Sequence, residues 1–266
     1  MDANYSASGA HPALEKFLAR LVLRSPLRIE QQQAILNLPY RAVQVRARAD
    51  VVSPGDTVSH ATLVAKGLTA RFDQMRDGRR QIVAFHVPGD MCDLHSVVAP
   101  TAAWGIASVS AATILEVPHS ALRAIATTYP EIAIAFWRDA VVDGSILSKW
   151  NGNLGRQSAR ARLAHLLCEM GTRMEVAGLA SRTCFALDAT QEQLADALGL
   201  TAVHVNRTYQ SLRRDGLIAT HSHIAQIDDW SRLAEVGDFD PAYLLLDEPT
   251  AGERPDAEPA TRYSVA

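Results

Sequence analysis

The chain has 266 residues, 48% of them hydrophobic, and a formal net charge of -3; this is apolar material for one large domain or two smaller ones, and two is the working division. Its three cysteines, Cys92, Cys168 and Cys184, are odd in number and far apart, which argues against a disulfide framework or a four-thiolate cluster and fits a reducing cytoplasm. No stretch offers about 18 uninterrupted apolar residues, and the first residues lack a basic start followed by an apolar run, so neither export nor membrane insertion is expected.

Residues 12 to 23 place leucines at 14, 18 and 21, a spacing of four and then three that predicts an amphipathic helix, and a second short helix is expected over 30 to 38. After Tyr40 the texture changes. Short runs rich in valine, alanine and isoleucine alternate with glycine turns at 54–56 (PGD), 66–67, 77–78 and 88–90 (PGD again), the pattern of an all-β unit. Asp77 and Gly78 suit a tight hairpin because both tolerate positive φ. A single run from 106 to 117, with Val109, Ala111, Thr113, Leu115 and Val117 on one face, is expected to close that unit before Pro118.

Helices follow. Val142, Ile146, Trp150 and Leu154 recur four apart, so one apolar stripe persists for several turns. Such a stripe either packs on its own domain or pairs with its twin in a homodimer; the dimer interface is the assignment made for these four residues. Gly144, Gly152 and Gly155 each weaken a helix by about 1 kcal/mol relative to alanine, so a bend or hinge is expected between 153 and 158. From 158 the pattern is helical to about 174, and a β-ribbon is expected around 216 to 227. The last twenty residues, with three prolines and almost no large apolar groups, are expected to be disordered.

The segment TQEQLADALGLTAVHVNRTYQSLRRDGLI (190 to 218) carries the functional signal. Leu194, Ala197 and Leu198 make a short amphipathic helix, Gly199 allows a sharp turn, and the Thr201 hydroxyl is placed to cap a second helix. On that second helix Val205, Tyr209 and Leu212 gather on one side, while Val203, Arg207, Gln210 and Arg214 gather on the other. This is a helix-turn-helix, whose second helix reads base edges in the major groove. Arg207 is the leading candidate for a base contact, since a guanidinium donates twice to guanine O6 and N7, and Asn206 suits adenine. Thr201 and His204 stand near the helix start, within reach of phosphates. Arg207, Arg213 and Arg214 are balanced by Glu192, Asp196 and Asp215, so nonspecific affinity is expected to be modest; Arg156, Arg160 and Arg162 are further candidates for phosphate contacts.

The segment resembles the DNA-binding motif of the catabolite activator and fumarate-nitrate regulator (Crp/Fnr) family, without a gap over its 29 residues, and the run HVNRT (204 to 208) resembles a branch common in α-proteobacteria. The resemblance implies an α+β chain: an N-terminal β-roll, a double-stranded β-helix of the cyclic-nucleotide-binding type, then a long dimerisation helix and a C-terminal winged helix-turn-helix. It divides the chain into a helical arm (1–30), the β-roll sensor (31–128), dimer helix and hinge (129–157), the winged helix-turn-helix (158–246) and the tail (247–266). It further implies a cytoplasmic homodimer on a two-fold symmetric double-stranded DNA site, with RNA polymerase as partner and no membrane. The family's base-reading arginine falls on Arg207, whereas two further base-reading positions fall on Ala202 and Val203, so the DNA sequence read must differ.

The resemblance also locates an effector pocket, at Asp93, Leu94, His95 and Ser148. The family's ribose glutamate falls on Leu94 and its phosphate arginine on Gly105, and the adjacent hydroxyl pair of the dimer helix on Leu147 and Ser148. Neither Leu94 nor Gly105 can do the job, because a buried phosphate without a paired cation is costly, so cyclic AMP is not expected as effector. No cofactor is expected. The alternative is haem at His95, with Cys92 as a second donor, in a sensing protein whose C-terminal unit is a protein-interaction module. An enzyme is disfavoured: the chain has no phosphate-cradling glycine loop, HExxH pair or GxSxG elbow.

Overall fold

A computed structural model describes residues 11–219 and 223–246. Helix α1 (Pro12–Arg24) opens with proline in its first turn, where the missing N–H is no loss, and the His11 ring accepts from the Ala13 amide. Its Leu14, Phe17, Leu18 and Leu21 are buried, as the leucine spacing predicts. Helix α2 (Ile29–Leu36) follows and spans the boundary drawn at residue 30.

The β-roll is two antiparallel sheets. Strands β1 (Arg41–Val45), β7 (Ala112–Pro118) and β3 (His60–Lys66) form one, in the order β1-β7-β3. Strands β2 (Asp50–Val52), β6 (Gly105–Ser108), β4 (Thr69–Gln74) and β5 (Arg80–His86) form the other, in the order β2-β6-β4-β5. Gly55, Gly67, Gly78 and Gly89, one in each glycine turn read from the sequence, all have positive φ, and Asp77-Gly78 turns the β4–β5 hairpin. The run from 106 to 117 is not one strand. The chain turns at Val109 and Ser110, whose amides donate to Leu68 O while the Ser110 hydroxyl accepts from the Leu68 amide, and β6 and β7 thereby belong to different sheets.

Helix α3 (His119–Thr128) leads to α4 (Pro130–Arg156), which is continuous through Gly144, Gly152 and Gly155. The joint is at Gln157 and Ser158, both extended, before α5 (Ala159–Val176). The C-terminal unit continues with β8 (Cys184–Ala186), α6 (Gln191–Leu198), α7 (Ala202–Arg214), β9 (Ile224–Gln226) and α8 (Trp230–Val236), then a 3-10 turn over Pro241–Leu244. Strands β8 and β9 pair antiparallel, so the strand partner of β9 lies outside the ribbon expected over 216 to 227, where Ile218 bridges Ile227. The tail expected to be disordered lies outside the described residues.

Three of the four α4 stripe residues assigned to the dimer interface are taken up within their own chain. Val142, Ile146 and Trp150 are buried within their own chain, in one core shared by the second sheet, α4 and the C-terminal unit. The Trp150 ring meets Phe85 of β5 edge-on at 5.8 Å, and its indole N–H donates to Glu169 of α5 at 2.9 Å. Leu154 is half-buried and lies over Gly199. A side chain already covered by its own chain has little area left for a partner.

Candidate nucleic-acid interface

Two local devices build the helix-turn-helix. Thr190 and Gln193 form a reciprocal capping box at the start of α6, and Gly199 ends that helix at φ +61°, in the left-handed region that favours glycine. Thr201 then caps α7, its hydroxyl accepting from the His204 amide at 3.2 Å. The faces of α7 divide as the periodicity predicts. Val205, Tyr209 and Leu212 are buried, while Val203, His204, Asn206, Arg207 and Gln210 are exposed. Thr201 is exposed and Ala202 half-buried at the helix start. Asn206 is engaged on the surface, its amide oxygen accepting from Gln210 Nε2 at 3.0 Å.

Two arginines read as phosphate contacts are tied up inside the unit. Arg160 donates to Ser211 Oγ and pairs with Asp215, both at 2.6 Å, and so holds the C-terminal end of α7. Arg162 donates to Leu198 O at 2.5 Å, satisfying a carbonyl at the end of α6. Arg156 is exposed.

The effector residues are only partly brought together. Asp93 is buried and accepts from the Thr62 amide at 2.6 Å, and burial pushes its carboxyl up to about 6. Leu94 is buried beside it; the His95 ring packs on Trp104 with centroids 5.0 Å apart. Ser148 stands exposed on the outer face of α4, whereas the inner face sends Asp143 to the roll.

The centre of the roll holds a residue that the sequence reading passed over. Arg71 is 1% exposed, donates to Asp143 at 2.7 Å and to the Cys92 carbonyl, and lies 5.2 Å from the Trp104 ring centroid. An arginine inside the apolar run of β4 was the available signal. Phe72 covers Gly105 so closely that a Cβ there would meet its ring at 2.1 Å. The Cys92 thiol is fully buried, contacts the Thr69 hydroxyl at 3.4 Å, and is driven well above the usual thiol range by burial.

Residues 42–129 match the model of the cyclic nucleotide-binding domain, and residues 161–236 that of the Crp-like helix-turn-helix domain. Among curated proteins the chain is similar to the transcriptional activator protein FnrL of Cereibacter sphaeroides, 30% identical over 75% of this chain and 81% of that one. It is similar also to the nitrogen fixation regulation protein FixK of Azorhizobium caulinodans, 28% identical over 71% and 75%. The solved structure of FixK2 from Bradyrhizobium japonicum superposes with a TM-score of 0.68 at 25% identity, covering 74% of this chain and 96% of that one. Two domain matches in this order, with a 30%-identical relative covered over most of its length, place the chain in the Crp/Fnr family of DNA-binding transcriptional regulators.

Proposed function

We propose that the protein acts in the cytoplasm as a homodimer on a two-fold symmetric DNA site, one α7 in each of two successive major grooves, and that it does so without a cyclic nucleotide. The observation that carries this reading is the outward face of α7, where Val203, Arg207 and Gln210 are exposed above a buried anchoring stripe. Arg207 reads a guanine, and Val203, 64% exposed, suits the methyl group of thymine. Contact with RNA polymerase belongs to the same reading, supported by the name transcriptional activator carried by FnrL.

The dimer seam runs along the outer face of α4. Ile134, Trp137, Val141, Gly144, Ser148, Asn151 and Gly155 repeat at three- and four-residue spacings, the period of a coiled-coil seam. Trp137 is 70% exposed and Val141 56%, more apolar surface than a lone helix face leaves in water. A Cβ at Gly144 or Gly155 would touch nothing within 4 Å in its own chain, which leaves room for a second helix. Independence from nucleotide is supported by the Arg71–Asp143 pair, which joins the roll to α4 through the protein's own side chains. Selection of bound sequences from random duplexes tests the whole reading. A two-fold motif with guanine and thymine in each half is expected; an asymmetric motif, or none, would overturn it.

A further inference from the structure

Helix α1 carries a row of cations at four-residue intervals, Lys16, Arg20 and Arg24, which runs from the side opposite its buried leucines to a buried position beside them at Arg24. On sequence alone such a row reads as a solvated face. In the structure each cation reaches another part of the chain. Lys16 donates to the carbonyl of Ala177, at the C-terminal end of α5, at 3.2 Å, where the helix dipole favours a positive charge. Arg20 pairs with Asp90 of the β5–β6 loop and with Asp139 of α4. Arg24 pairs with Asp139 at 3.1 Å and donates to Leu244 O, in the 3-10 turn after α8, at 3.1 Å. From the other side Arg173 of α5 reaches the same Asp90 at 2.6 Å and the carbonyl of Phe85 at 2.7 Å. The turn that carries Asp90 lies hard against α1: a Cβ on Gly89 would come 2.7 Å from Lys16 Cβ.

The covalent link from α4 to the DNA-binding unit is the two-residue joint at Gln157 and Ser158, and packing and polar contacts between the unit and the rest of the chain set its angle about that joint. A second attachment lies at α6, where Gln81 donates to Asp196 O and Gln193 to Val109 O. The shared apolar core, the Trp150–Glu169 bond and the Arg173–Asp90 pair hold the unit as well. The α1 row adds to these from α1 and the 3-10 turn, which lie outside both stretches matched by the family models, and reaches Ala177 and Asp90, which lie within them.

We propose that Lys16, Arg20 and Arg24 are positioning residues for DNA recognition. They clasp each DNA-binding unit to its sensor and to α4, and so set the distance and twist between the two α7 helices of the dimer. The proposal rests on the two-fold reading above. Inserting one base pair between half-sites turns them by about a tenth of a helical turn and parts them by roughly 3.4 Å, so a clasped dimer tolerates it poorly and an unclasped one follows it.

The test measures full-length protein on duplexes carrying the selected site at its natural spacing and with one central base pair added or removed. Wild-type protein is expected to prefer natural spacing by at least about tenfold, the scale of a mismatch in a specific site. Arg20→Gln and Arg24→Gln should lower that preference to about twofold while affinity for random duplex is unchanged, a split that loss of folded protein does not produce. Arg20→Lys should restore part of the preference, and Arg28→Gln, on an exposed side chain, should leave it intact. If the glutamine variants do not fold, Lys16→Met removes a single hydrogen bond and should still lower the ratio. Folded variants that keep the wild-type ratio overturn the clasp alone; wild-type protein without a two-fold preference overturns the reading beneath it as well.

Discussion

His86 ends β5 inside the junction between sensor, α4 and α5, is 4% exposed, and has its Nδ1 4.0 Å from Asp90. Burial, reinforced by the Arg71 charge, lowers its pKa from 6.5 to about 3. In the unfolded chain the ring takes up a proton below its ordinary pKa, whereas in the fold it stays neutral until about pH 3. The unfolded state therefore binds more protons across that window, and stability falls as pH drops through it. At pH 5 this one histidine should cost about 2 kcal/mol relative to pH 7.5, and the figure barely depends on the folded pKa as long as that stays below about 4. His60, His95, His119 and His165 are shifted the same way by burial and add to this loss. Asp93, raised to about 6, acts in the opposite sense. The His86 share is isolated by urea titration of wild type and His86→Gln at both pH values, because the other groups are common to the two proteins. The gap between the proteins should change by about 2 kcal/mol from pH 7.5 to pH 5 in favour of the variant. Parallel losses would show that His86 titrates normally and that the junction opens to water in the native state.

Arg207→Ala should leave the melting temperature unchanged, since the side chain is exposed, and weaken specific binding by about 1 to 3 kcal/mol per half-site; unchanged affinity and sequence preference in a binding titration would remove the assignment of α7. Trp137→Glu with Val141→Glu should give folded monomers by light scattering, whereas Ile146→Glu, at a buried position, should destabilise the chain itself by more than about 3 kcal/mol. Cyclic AMP at millimolar concentration should not raise the melting temperature, although a ligand at 100 times its Kd adds about 2.7 kcal/mol; stabilisation would mean that Arg71 leaves its place. Reconstitution with haem should give no Soret absorbance, and a Soret band lost in His95→Ala would restore the haem alternative.

What could be read in the sequence is what local periodicity and turn chemistry determine. Gly199 and Thr201 mark a turn and a cap through their own backbone and hydroxyl chemistry, and Val205, Tyr209 and Leu212 mark one helix face whatever lies behind it. The glycine turns of the β-roll are legible for the same reason. Periodicity does not say whose surface covers an apolar stripe, so Val142, Ile146 and Trp150 pointed equally to a second copy and to the chain's own DNA-binding unit. The face proposed for the dimer is harder still to see, because Gly144, Ser148, Asn151 and Gly155 carry no hydrophobic signal. Arg160 reads as a DNA contact, and Arg71, Arg20 and Arg24 are given no role by the sequence, for a related reason. Arg71, Arg20, Arg24 and Arg160 find their carboxylates at sequence separations of 72, 70, 115 and 55 residues, distances at which no pattern of spacing carries information.

The bond from Arg24 to the carbonyl of Leu244 joins residues 220 apart, close to the two ends of the described chain. A ribosome adding about 5 to 20 residues per second releases the second of these roughly 10 to 45 seconds after the first. Through that interval the β-roll can fold with α1 laid on it by its leucines, but the guanidinium of Arg24 waits without its last acceptor. The molecule is therefore fastened late, at the moment its C-terminal unit is complete, and a chain broken off early in that unit leaves the fastening open.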